Sequence, residues 1–147
     1  VCLGPEVVTE LVERGKKADR FRVDHYAIAL ARARVPEAKD FFQMILRDDT
    51  GNLYMASAKF HAAVGLAQLG DPIGFEWIIA NSSDSLGTVS GAWPPRVSDF
   101  NLNTCSVAAL CQLSGVSNLS TKQQWQTWWK TVDKKQLPKN HVTLLDP

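Results

Sequence analysis

The side chains able to do chemistry are few, and their intervals repay attention. His25 and His61 stand 36 residues apart, and Cys105 follows 44 residues later. Carried at one register position on neighbouring helices with axes about 10 Å apart, they would form a row of zinc-type donors. A zinc site also wants a fourth ligand or water, and carboxylates behind the imidazoles. Asp24 adjoins His25, but no acid accompanies His61 in the same way. No metal and no cofactor is assigned. There is no nucleophile elbow, Gly-rich phosphate loop, His-Glu-x-x-His or Cys-x-x-Cys. Asp48 and Asp49 fall in a polar connection, where solvation and turn formation account for them. No segment that reads as buried supplies an ionisable pair with shifted pKa values. No residue is named as catalytic, and the expectation is a chain that is not an enzyme. Cys105 and Cys111 are six apart, roughly 240° around a helix, and are expected as buried free thiols rather than a disulfide.

Composition narrows the classes further. The 147 residues suit one domain with a real core, and 45% hydrophobic with 21% charged residues is globular rather than disordered. The formal net charge of +1 argues against a general basic field for nucleic acid. That sum conceals a bias, because residues 14–34 hold seven basic side chains against two acidic ones. A solvated helix edge is the plain explanation of this cluster. No apolar run approaches the ~18 residues of a membrane span. The chain starts at Val1 without Met. Removal of a natural start or signal peptide is compatible with that, and the compartment is left open.

The elements that must position these side chains emerge from an internal repeat. In Gly65-Leu66-Ala67-Gln68-Leu69-Gly70-Asp71-Pro72, Gly70 ends one helix while Asp71 caps and Pro72 begins the next. A shift of 36 lays Leu30, Ala31 and Pro36 on Leu66, Ala67 and Pro72, and Phe41-Phe42 on Trp77-Ile78. A shift of 44 the other way lays Ala109-Leu110-Cys111-Gln112-Leu113-Ser114 on residues 65–70. The first helix of each copy carries a wide inward stripe, apolar or small: Tyr26, Ala27, Leu30, Ala31 and Ala33; then Ala62, Ala63, Leu66, Ala67 and Leu69; then Ser106, Val107, Leu110, Cys111 and Leu113. The second helices place Ala38, Phe41, Phe42 and Ile45 inward. Gly74, Trp77, Ile78 and Asn81 follow in the next copy, then Trp125, Trp128, Trp129 and Val132. Leu66, Trp77, Ile78, Leu110 and Trp129 are expected to be largely buried. Ser120 with Gln123 reads as a capping box for the last helix. Val8, Leu11 and Val12 read as half of a preceding repeat.

Helix pairs recurring at about 40 residues imply an all-α chain, a short right-handed α-solenoid of stacked antiparallel pairs. The run Ala62-Ala63-Val64-Gly65-Leu66-Ala67-Gln68-Leu69-Gly70-Asp71-Pro72 resembles the short bacterial-type HEAT repeat, with its A-A-x-x-L-x-x-L-G-D-P core. The expected organisation is one domain over 1–147. It holds a half repeat at 5–14, full repeats at 24–47, 57–82 and 103–132, and a tail at 133–147. Arg34-Val35 replaces Gly-Asp in the first copy, and the third has a longer turn without Pro.

The resemblance implies a non-enzymatic scaffold that presents a surface to a protein or peptide. Two alternatives come with it: an enzyme-assisting role like that of bilin-lyase relatives, and nucleic-acid binding through the 14–34 cluster. The inter-repeat segments 15–23, 48–56 and 83–102 should emerge along one edge. The last, at 20 residues, is longer than featureless connections usually run. The expected binding residues on that edge are Arg20, Arg22, Tyr54, Trp93 and Arg96, with Trp93 as anchor. The competing reading folds Trp93 and Phe100 over exposed core.

Overall fold

Residues 61–68 read His-Ala-Ala-Val-Gly-Leu-Ala-Gln, and all eight are buried. A helix with one apolar stripe shows water on its other side, whereas a helix buried all round must be surrounded by partners. That helix, Met55–Gln68, is the fourth of seven among the described residues, and the others are arranged around it. The computed structural model describes residues 3–50, 55–82 and 102–143. Among them stand α1 (Pro5–Lys17), α2 (Val23–Ala33), α3 (Lys39–Leu46), α4 (Met55–Gln68), α5 (Pro72–Asn81), α6 (Leu102–Ser114) and α7 (Lys122–Thr131). A 3-10 turn, Pro36–Ala38, precedes α3, and no strand occurs among the described residues. The all-helical expectation holds.

α4 packs most extensively on α2, then on α5 and α3, and also touches α6, while α1 lies against α2 and α7 against α5. α2 and α4 run in the same direction. Gln68 near the end of α4 donates from Nε2 to the Ala31 carbonyl near the end of α2 at 2.8 Å, and Val23 and Met55 at their starts border one hollow. α5 turns back at Leu69–Asp71. Gly70 takes a left-handed φ of 79°, and the Asp71 carboxylate accepts the Ile73 amide at 3.0 Å, the cap expected at this turn. Thirty-six residues earlier Arg34 adopts the left-handed conformation (φ 52°, ψ 44°), followed by extended Val35 (φ −90°, ψ 121°). Asp71 has φ −85° and ψ 121°. The two turns therefore share one backbone geometry despite different residues. After α6 the left-handed residue is Gly115, φ 74°, one place beyond Ser114.

Leu30, Phe41, Phe42, Ile45, Leu66, Ile78 and Leu110 are all buried, as the apolar spacing requires. The other second helices differ from expectation. α5 turns Gly74, Phe75, Ile78 and Ile79 inward, leaving Trp77 and Asn81 half-buried. The cause is Gly74: a Cβ there would fall 2.3 Å from the Ala63 carbonyl oxygen and 2.5 Å from the Ala67 amide nitrogen. Backbone rests on backbone, and that contact sets the rotation of α5. In α7 Trp125 is fully buried, but Trp128 and Trp129 are half-buried, cladding Phe75 from outside. The Phe75 ring stacks on Trp129 at 5.5 Å between centroids and 16° between planes. The capping box of α7 lies one residue beyond the expected pair. Thr121 Oγ1 accepts the Gln124 amide at 3.2 Å, and Gln124 Oε1 accepts the Thr121 amide at 3.1 Å. Ser-Thr followed by Gln-Gln permits either register. α1 buries Val8 and Val12 and continues to Lys17, so the first connection is 18–22 rather than 15–23. Among the described residues no helix is long and apolar enough to cross a membrane.

Candidate functional site

At the amino ends of α2 and α4, two connections leave an open hollow of about 320 Å3. Its apolar floor is Val23, Ile45 and Met55, with Met44 at the rim, and Lys16, Arg20 and Asp48 supply charge. Sequence dictates how the rim is held. The Asp19 side chain accepts the Phe21 amide at 2.9 Å and its carbonyl accepts the Arg22 and Val23 amides at 3.0 Å, which makes a tight turn into α2. The Phe21 side chain then has nowhere inward to go. It stands 56% exposed, with the Arg20 guanidinium 4.9 Å above its ring. Met44 is 41% exposed. Opposite, the Asp48 carboxylate accepts the Thr50 amide at 3.0 Å, and that bond holds its pKa below the usual carboxylate value. Lys59 Nζ donates to the Asp48 carbonyl, tying this connection to α4.

The basic cluster is mostly occupied locally. Arg14 pairs with Glu10 at 2.5 Å, Lys16 with Glu13 at 3.1 Å, and Arg22 with Asp19 at 3.8 Å, all on exposed surface. Of the expected binding residues, Arg20 and Arg22 meet at this edge. Tyr54, Trp93 and Arg96 lie outside the described residues, as does Phe100.

The carboxyl ends of the same helices are closed. The chain beyond α7 turns back and runs without regular secondary structure over 137–142, burying Leu137 and Val142. Gln68, fully buried, accepts the Val142 amide on Oε1 at 2.9 Å while donating to Ala31, and His141 Nδ1 lies 3.1 Å from the same oxygen. The Arg34 guanidinium donates to the Lys139 carbonyl at 2.6 Å. The Asn140 side-chain amide donates to the Leu113 carbonyl at 3.0 Å. Helix ends carry unpaired carbonyls, and four consecutive tail residues engage the carboxyl turns of α2, α4 and α6. Beside the tail lies a hollow of about 610 Å3 bordered by Arg34, Lys39 and Lys139. Lys39 Nζ reaches the nearly buried Asp71 carboxylate at 2.9 Å.

The histidines at equal spacing occupy unequal surroundings. His25 is exposed, its Nδ1 2.8 Å from the Asp24 carboxylate. His61 is enclosed and donates from Nδ1 to the Ser57 carbonyl at 2.7 Å. Burial lowers its pKa to about 4, so its imidazole is neutral at pH 7. Cys105 is buried and Cys111 half-buried, both as free thiols, and burial raises the pKa of Cys111. Among the described residues no group of three or more His, Cys, Asp or Glu side chains converges as a metal site would require.

Phe21, Met44 and the tail were not singled out by sequence reasoning. Gln68 carried a readable signal, being the lone uncharged amide in an Ala-Val-Gly-Leu-Ala run. A polar side chain inside such a run needs partners, and here they are the tail and α2. The chain matches no protein-family model, no curated protein and no solved structure.

Proposed function

We propose that this chain is a non-enzymatic interaction module built from HEAT-like repeats, a short right-handed α-solenoid whose amino-end edge takes a protein or peptide partner. The repeat reading draws support from the two turns of equal geometry 36 residues apart and from the parallel packing of α2 on α4. The binding reading rests on one observation: the open hollow that Lys16, Arg20, Met44 and Asp48 border, with exposed Phe21 under the Arg20 guanidinium next to it. An exposed aromatic carrying a guanidinium offers large contact area at small entropy cost, the usual make-up of a binding anchor. Apolar floor and basic rim suit a peptide with an apolar residue flanked by acids.

Selection of displayed peptides on the full chain tests this. The sequences recovered should combine acidic residues with an apolar anchor. Phe21→Ala with Arg20→Glu should abolish their binding and leave the melting temperature within a degree or two, as exposed substitutions do. Peptides without acidic bias, or binding untouched by the double variant, would remove this edge from consideration. Retention of DNA instead, weakening steeply with salt, would favour the nucleic-acid alternative.

A further inference from the structure

The tail at the carboxyl end is held partly through its backbone and partly through its side chains. Arg34 reads the carbonyl of Lys139 and Gln68 reads the amide of Val142, so two of its hydrogen bonds go to backbone. Leu137 and Val142 supply two apolar anchors five residues apart. A peptide with that spacing and an Asn-His pair ahead of the second anchor could offer the same groups, the pattern by which proteins take up linear segments. Lys139 borders the hollow together with Arg34 and Lys39, and its methylenes lie over Gly70, where a Cβ would come within 2.9 Å of Cε. Asp71 neutralises Lys39 at 2.9 Å. Arg34 and Lys139 then leave the hollow with an excess of positive charge, like against like across partly exposed surface.

We propose that this groove is a peptide-binding site for an extended acidic segment. Such a segment would place one apolar residue where Leu137 lies, a carboxylate where Lys139 lies and a second apolar residue where Val142 lies. The chain's own tail is its weaker occupant. The carboxylate brings the opposite charge to a hollow bordered by Arg34 and Lys39 and removes an ammonium from it, while both backbone hydrogen bonds are kept. The site is at the opposite end of α2 and α4 from the edge proposed above, and the two readings stand or fall separately.

Two measurements on the full chain test it. In the first, Lys139→Glu should raise the melting temperature, because the tail then carries the complementary charge. A fall would overturn the charge argument. In the second, Leu137→Ser with Val142→Ser loosens the tail, and binding of fluorescein-labelled peptides is followed by anisotropy. One peptide has the sequence of residues 136–143, and the other has the same sequence with Lys139→Glu. The altered peptide should bind the loosened chain about fivefold tighter or more, with the preference shrinking at high salt and lost when Arg34→Met is added. Equal affinities, or no saturable binding of either peptide, would overturn the proposal. A loosened chain that no longer melts cooperatively would do so too, since the tail would then be a fixed part of the core.

Discussion

α2 and α4 run side by side, and their two ends are finished by different means. At the carboxyl end the connections are tight turns, Arg34–Val35 and Leu69–Asp71, too short to cover anything. The apolar edge there is covered by a segment from the far end of the chain, which Gln68 and Arg34 hold by its backbone and whose Asn140 donates to the Leu113 carbonyl. At the amino end, among the described residues, the 18–22 connection satisfies its own amides on Asp19 and leaves Phe21 exposed, next to an open hollow that Arg20 and Met44 border. Local hydrogen bonding can satisfy a backbone but cannot cover an apolar edge. Covering it takes chain, and the tail supplies chain at one end. The carboxyl end should therefore be sensitive to substitution and the amino end tolerant.

The largest effect is expected where the turn of α5 presses on α4. Gly74→Ala drives a Cβ into the Ala63 carbonyl and Ala67 amide, backbone that cannot swing aside. It should cost 3 kcal/mol or more, about the upper range for overpacking. A loss below about 1 kcal/mol in denaturant titration would mean the two helices stand further apart. Gln68→Ala comes next, at about 3 kcal/mol, because it strips partners from the Val142 amide and the Ala31 carbonyl at once. If its midpoint shift were no larger than that of an exposed alanine substitution, the tail would not be closing this end.

The shaft between the ends responds to acid. The folded pKa of His61, about 4, lies below its ordinary 6.5, so between those values the unfolded chain binds the extra proton. Its contribution is whole above about pH 6.5 and is lost as pH falls toward 4, about 2 kcal/mol by pH 5. His61→Gln should flatten that slope, and an unchanged slope would assign the acid sensitivity elsewhere. The smallest effect belongs to the open end. Phe21→Ala should change stability by less than about 0.5 kcal/mol, and a larger loss would show that Phe21 covers core.

Much of this was legible along the chain. Phe41, Phe42 and Ile45 at helical spacing were bound to face inward, and Gly70-Asp71-Pro72 carries left-handed freedom, a cap and a helix start in consecutive residues. These are local properties, decided by one side chain and its own backbone. Arg34 shows how far the local signal reaches: it takes the glycine conformation without being glycine, and nothing about it but its interval of 36 residues from Gly70 announces it. The Ser120-or-Thr121 cap was ambiguous for a local reason as well, since two adjacent pairs satisfy the same rule.

What tertiary structure alone decided concerns rotation, depth and return of the chain. Periodicity marks an apolar stripe, but the backbone contact at Gly74 chose Phe75 over Trp77. Nothing in residues 61–68 by themselves distinguishes a helix with one covered face from one enclosed on every side, because small residues fit both. The bridge from Gln68 to Val142 joins positions 74 apart, and no propensity or spacing rule spans that distance. The sequence by itself determined the helices and their turns, which depend on near neighbours. Which helix became the axis, and which end the tail would close, depended on contacts that exist only once the chain has packed.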